Sequence, residues 1–183
     1  APLPGVSFTL EDNSSRLENQ TAVSDENGIV TFTNLDPGTY TLTETTPAGF
    51  VTASTATVTV SLTGGVYTVQ MTGGGVSTTA DGIILTNTYI RGTVNLHKTD
   101  AATGQPLSGA VFSVYDAETG ELVAYLTESA TTSGLYSLSS TDGTGGNALL
   151  DPAVNELGDA LLSLQSGVLK LLAGDYYVTE TVT

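Results

Sequence analysis

Cysteine is missing altogether from this chain, which excludes disulfide staples and thiol chemistry. Small extracellular domains usually carry some staple, so its absence raises the question of what replaces it. Basic residues are nearly missing too: two lysines (98 and 170) and two arginines (16 and 91) stand against nineteen acids, for a net charge of −15. A nucleic-acid partner needs a basic footprint, and none exists here. Anionic membrane surfaces are disfavoured for the same reason, and no apolar run approaches spanning length, so membrane insertion is not expected. His97 is the single histidine; with no cysteine, no Gly-x-Ser-x-Gly and no phosphate loop, an ordinary enzyme cannot be assembled. Asp25-Glu26-Asn27-Gly28 and the 142–147 stretch look like fragments of calcium loops but lack the full ligand set with its closing bidentate Glu. Turn chemistry accounts for both, and neither a metal nor a cofactor is expected.

What is present in abundance is Thr, Ser, Gly and Val, with the aromatics mostly Tyr. That bias suits half-buried pleated surfaces and tight turns, and so an all-β fold. The chain also repeats itself. PLPGVSFTLED at 2–12 returns as PLSGAVFSVYD at 106–116, and NLDPGTYTLTET at 34–45 returns as KLLAGDYYVTET at 170–181. A period near half the chain is too long for a solenoid unit and fits two tandem domains, 1–91 and 92–183. An acidic, self-repelling surface suits a protein outside the cell at high local density.

Period-2 alternation predicts strands over residues 6–10, 21–24, 29–33, 40–44, 55–62, 66–71 and 83–90 in the first copy. Turns at Asp25 to Gly28, Asp36-Pro37-Gly38 and Gly64-Gly65 separate several of them. Many short strands with Gly/Pro punctuation indicate a sandwich, of Greek-key immunoglobulin-like or prealbumin-like type. Arg91-Gly92 is the whole linker before the strand 94–98, which leaves the junction little freedom. The second copy follows the same order, with a hairpin at 117–120, and departs at an insertion, 139–168. There Asp151 as N-cap, Pro152 at the first helical position, and Val154, Leu157, Leu161 and Leu164 on one face predict a short helix, against which Gly158 counts. It would cap the sandwich or form a partner-binding insertion.

Four polar residues stand out. Lys98 shares strand parity with Val94 and Leu96, Glu44 with Tyr40 and Leu42, Glu180 with Tyr176 and Val178, and Asn87 with Ile83 and Leu85. His97, next to Lys98, points to the opposite face and reads as a surface residue. Polar groups brought inward on several strands are costly unless they meet; the alternative is that they are strand-end residues solvated or snorkelling at the rim.

Together these residues reach a family. Lys98-Thr99-Asp100 with Pro106-Leu107-Ser108-Gly109-Ala110-Val111-Phe112, then Gly38 to Glu44 with Pro47-Ala48-Gly49-Phe50, then Thr86-Asn87-Thr88, resemble the Cna-B type, prealbumin-like domains of Gram-positive surface adhesins and pilins. The resemblance covers nearly everything but the insertion. It implies a built-in covalent staple: a lysine on the first strand attacks the carboxamide of an asparagine on the last, ammonia leaves, and a buried acid mediates. Burial disfavours charged forms, so a neutral amine can attack while a protonated acid activates the amide, and folding supplies proximity. In this sequence the resemblance assigns Lys98 and Asn87 to the isopeptide bond and Glu44 and Glu180 as promoting acids.

The two copies are out of phase with that scheme. The first carries Glu44 and Asn87 but no lysine; the second carries Lys98 and Glu180 and stops before an equivalent of Asn87. Two readings stay open: a segment of a longer array, which we favour, or copies of the same chain that complement one another head to tail. The expected function is a structural stalk or shaft segment of a cell-surface adhesin or pilus-like fibre, extracellular at the cell wall, partnered by neighbouring domains or copies. The alternative is an adhesive module whose 139–168 insertion contacts a host glycan or protein.

Overall fold

The computed structural model describes residues 1–52, 55–80, 82–145, 148–149 and 151–181. Every regular element among them is a strand, and they form two compact units, Ala1–Tyr89 and Ile90–Thr183. In the first, β1 (Ser7–Asp12), β2 (Gln20–Val23), β3 (Gly38–Glu44), β4 (Ala56–Thr63) and β5 (Val66–Gly73) build an antiparallel sheet ordered β2-β1-β3-β4-β5. A separate hairpin joins β6 (Val76–Thr79) to β7 (Gly82–Leu85). In the second, β8 (Arg91–Gly92), β9 (Asn95–His97), β10 (Val111–Asp116), β11 (Leu122–Glu128), β12 (Leu135–Ser139), β13 (Leu162–Gln165), β14 (Val168–Leu172) and β15 (Tyr176–Thr181) form two sheets, β15-β10-β11-β12-β9 and β13-β14-β8.

Alternation decides which side chains go inward. Phe8, Leu10, Tyr40, Leu42, Ala56, Val58 and Val60 point from β1, β3 and β4 into one core, as period 2 requires. Val30, Phe32, Leu35, Val76 and Leu85 cover it from outside the sheet and make the second layer. The β4–β5 hairpin closes on Gly64 and Gly65, both at positive φ (59° and 80°), which a two-residue primed turn demands and glycine alone adopts freely. In the second unit, Phe112, Val114, Val123, Leu126 and Tyr136 are buried, and the Phe112 and Tyr136 rings meet edge to face at 5.0 Å.

The repeat is visible atom by atom. Phe8 pairs with Glu44 and Asp12 with Tyr40 across β1 and β3; Phe112 pairs with Glu180 and Asp116 with Tyr176 across β10 and β15. Each tyrosine donates its hydroxyl to the carbonyl four residues earlier, Tyr40 to Asp36 at 2.7 Å and Tyr176 to Leu172 at 2.9 Å. Each aspartate ties down the turn that follows it: Asp12 accepts from the Ser14, Arg16 and Leu17 amides, Asp116 from those of Glu118 and Thr119.

Three sequence expectations give way. The helix in the insertion does not form. Asn155 accepts the Leu157 and Asp159 amides on Oδ1, Gly158 turns at φ 79°, and Val154 bridges Ala160, so the chain folds back as a hairpin-like turn and continues into β13. The side-chain amide offers the backbone a local alternative to the helix, and Leu164, expected on the buried face, is 68% exposed. The long strand over 83–90 is broken: β7 ends at Leu85, and Tyr89 makes an isolated bridge to Phe50. Residues 29–33 keep the expected alternation of exposure but enter no sheet. The Arg91-Gly92 junction is itself β8, paired with Leu172 and Leu171, and the Arg91 guanidinium donates to the Leu161 and Ala160 carbonyls.

Candidate functional site

The polar residues singled out by parity fall into two clusters, one per unit. In the first, Glu44 is the last residue of β3 and sits opposite Phe8. Asn87 lies beyond β7 in a segment held by neighbours on both sides. The Thr86 amide donates to the Gly75 carbonyl, the Val51 amide to the Thr88 carbonyl, and Phe50 stacks on Tyr89 with centroids 4.2 Å apart. So fixed, Asn87 donates from Nδ2 to Glu44 Oε1 at 2.6 Å. The other two oxygens, Glu44 Oε2 and Asn87 Oδ1, are buried and have no hydrogen-bond partner. Burying polar oxygens unpaired costs on the order of 1–3 kcal/mol each, so the cluster is incomplete in the sense that matters: it has acceptors and lacks a donor.

In the second unit Lys98 follows β9 directly, with its amide donating to the Gly134 carbonyl and its own carbonyl accepting from Leu107. Exposure alternates from Val94 through Lys98, with His97 outward and Lys98 inward. The Lys98 ammonium donates to Glu180 Oε1 and lies 5.8 Å from the centroid of the Phe112 ring. The pair is wet: the Lys98 side chain is 25% exposed and that of Glu180 39%. Such a pair contributes little to stability. The structure thus brings Asn87 to Glu44 and Lys98 to Glu180, while Asn87 and Lys98 belong to different units.

Sequence reasoning missed the supports of these clusters. Gly28 and Gly134 hold the same left-handed φ (73° and 72°), and each is packed against the proline of the repeated Pro-Leu motif. A Cβ on Gly28 would lie 3.1 Å from Pro2 Cβ, and one on Gly134 2.8 Å from Pro106 Cβ and from the Lys98 carbonyl. The repeat itself was the available signal, since both glycines precede matching alternating segments. Glu128 was also passed over: it accepts the Gly109 and Gly134 amides, which together with the Ser108 hydroxyl hold its carboxyl below the usual range. The Asp142 carboxylate accepts the Thr144 amide and hydroxyl as a turn residue. Among the described residues no group of three or more His, Cys, Asp or Glu is placed to hold a metal ion. No helix among them is long and apolar enough to cross a membrane.

Comparison with known proteins gives three findings. Colossin-A of Dictyostelium discoideum is 41% identical over 49 residues, which is 27% of this chain and, to the nearest per cent, 0% of that protein. This chain therefore spans only a trace of that relative. The shaft pilin SpaA of Lactobacillus rhamnosus GG, solved as a point mutant, aligns over 100% of this chain and 82% of its own at 17% identity, with a TM-score of 0.28. The family profile of the SpaA prealbumin-like fold domain matches residues 1–75 and 92–183, one stretch in each unit. With both units matched and every regular element a strand, this chain belongs to the SpaA prealbumin-like fold domains, a structural family of Gram-positive pilins and not an enzyme family.

Proposed function

We propose that this chain is a load-bearing segment of an extracellular surface fibre, a pilus or adhesin shaft, whose domains are locked by Lys–Asn isopeptide bonds. The observation that carries the reading is the Glu44–Asn87 pair, with its two buried oxygens lacking a donor. A lysine amine entering there would find an acid and an activated carboxamide already in contact. The step balances simply: the amine nitrogen attacks Asn87 Cγ, a new C–N bond forms, the bond to Nδ2 breaks, and ammonia leaves. Glu44 relays the proton from the attacking amine to the departing nitrogen. Lys98 with Glu180 is the other half of the same arrangement, and an asparagine carboxamide brought to it completes the second domain. The partners in this reading are neighbouring domains or other copies of the chain. Strong net acidity fits a crowded extracellular surface.

Covalent closure replaces the disulfide that the chain does not have. By analogy with a cross-link around a loop of domain size, the bond adds roughly 4–5 kcal/mol. Denatured intact-mass measurement tests the proposal: species lighter by one ammonia per link, lost in Asn87→Ala and in Lys98→Arg, are expected. Material that stays at the plain sum of its residues when a lysine strand is supplied to Asn87 and an asparagine strand to Lys98 overturns it. A second reading, adhesion through the 139–168 insertion, draws on exposed Val154, Leu164 and Val168 in that region. Binding of a host glycan or protein that disappears on deleting residues 142–165 would favour it.

A further inference from the structure

We infer that the first unit is a strand acceptor: residues 28–33 form an open edge built to receive an extended segment with the chemistry of residues 94–98, apolar at alternate positions and ending in lysine. The inference deepens the isopeptide reading by naming what enters the Glu44–Asn87 cluster, and it rests on that reading only for the covalent step.

The second unit shows what the edge is for. There β12 is held on one side by β11 and on the other by β9, with Leu135 opposite His97, Tyr136 opposite Leu96 and Ser137 opposite Asn95. Gly134 accepts the Lys98 amide and Leu107 donates to the Lys98 carbonyl. The repeat carries each of these groups into the first unit as Ile29, Val30, Thr31, Gly28 and Leu3. Val30 and Phe32 lean on the core while Ile29 is 58% exposed, the alternation of a strand in place. Yet among the described residues Val30, Thr31 and Phe32 make no backbone hydrogen bond, and neither the Gly28 carbonyl nor the Leu3 amide has a partner. Five consecutive positions thus have strand-like burial and an unused ladder, which is the condition for strand addition.

The register then delivers the lysine. An incoming strand paired to residues 29–31 as β9 is paired to β12 places its lysine backbone between Gly28 and Leu3. In the second unit that placement carries the Lys98 ammonium over Phe112 to Glu180. Phe8 and Glu44 hold the same cross-strand register as Phe112 and Glu180, so the ammonium arrives at Glu44, where Oε2 and the Asn87 carboxamide oxygen lack a donor. Edge and cluster are separate observations that point to one occupant.

The test uses the full chain carrying Lys98→Arg, so that its own strand cannot react, and a synthetic peptide of residues 91–105 as donor. Hydrogen exchange at Val30, Thr31 and Phe32 is expected to slow at least about tenfold on adding the peptide, and a peptide with Leu96→Asp is expected to protect weakly or not at all. The mass spectrum is expected to gain one peptide less one ammonia, and Asn87→Ala is expected to keep the protection and lose the adduct. Protection without an adduct in the Asn87-containing chain upholds the acceptor edge and counts against the isopeptide reading alone. An adduct without protection at those three amides overturns the edge and leaves the isopeptide reading standing. Equal protection by the Leu96→Asp peptide, or no protection and no adduct, overturns the inference. Dimers or ladders of the unsubstituted chain that carry the same protection support it, with a second copy as donor.

Discussion

The two units share three strands and differ in which side they extend. β2-β1-β3 and β11-β10-β15 match in order and register, but the first unit adds β4 and β5 beyond β3, whereas the second adds β12 and β9 beyond β11. Each therefore displays, fully formed, the part of the sheet that the other lacks. The consequence is chemical as well as architectural. The Glu44 cluster contains the amide and lacks the amine, and the Glu180 cluster contains the amine and lacks the amide. Chain stability in the shared three strands comes from local pairing and core burial, while the functional groups sit where that pairing ends.

The comparison breaks most severely at the shared tyrosine. Tyr40 is 2% exposed in the middle of its core, whereas Tyr176 is only partly buried. Tyr40→Ala should cost about 3–5 kcal/mol, as large aromatic truncations in cores do, and Tyr176→Ala clearly less. Chemical denaturation of the two variants measures the difference; equal losses would mean that the two tyrosines are packed alike.

Next come the clusters. Asn87→Ala leaves Glu44 Oε1 without its donor beside an Oε2 that already lacks one, for a loss of about 1–3 kcal/mol. Glu180→Gln, at a pair open to solvent on both sides, should stay within about 0.5 kcal/mol. Replacing Glu44 and Asn87 together by apolar residues of similar size should recover most of the first loss, since both orphaned oxygens go at once.

These contrasts also mark what the sequence could reveal. Alternation located β1, β3, β4, β5, β10 and β15, because each strand buries one face against a core made largely of its own neighbours. The inward parity of Lys98 and Glu44 was legible for the same reason. Residues 29–33 read equally well as a strand, but a ladder needs a partner, and pairing is a non-local property that periodicity does not carry. The insertion misled in the opposite direction. Apolar spacing from Val154 to Leu164 mimics a helix face, while the deciding contacts are local: Asn155 Oδ1 captures two amides and Gly158 supplies a left-handed turn. Asn87 and Glu44 could be matched to a family pattern, but not their contact, which depends on Phe50 stacking on Tyr89.

The paired glycines sharpen the comparison further. Alanine at either must adopt a left-handed backbone, at about 1–2 kcal/mol. At Gly134 the added Cβ also meets the Lys98 carbonyl at 2.8 Å, whereas at Gly28 the nearest atoms are at 3.1 Å. Gly134→Ala is therefore expected to lower the denaturation midpoint more than Gly28→Ala. Saturating the chain with the 91–105 peptide should narrow that gap, because a docked lysine carbonyl would then crowd residue 28 as Lys98 crowds residue 134.

The smallest effect concerns acid. The Ser14 hydroxyl and amide, with the Arg16 and Leu17 amides, hold the Asp12 carboxyl down to about 2 from an ordinary 3.8, against the opposing pull of burial. Asp116 is lowered too, chiefly by the Thr119 amide. A folded-state value below the unfolded one means that the stabilisation is complete above the unfolded value and disappears as pH falls through the folded one. For Asp12 the window runs from about pH 4 down to pH 2. Thermal midpoints measured across that window should fall less steeply for Asp12→Asn than for the parent chain, with the variant already weaker at neutral pH. Asp116→Asn should flatten the curve in the same direction. Parallel curves for parent and variants would show that these two carboxylates, for all their shared geometry, take no part in the response to acid.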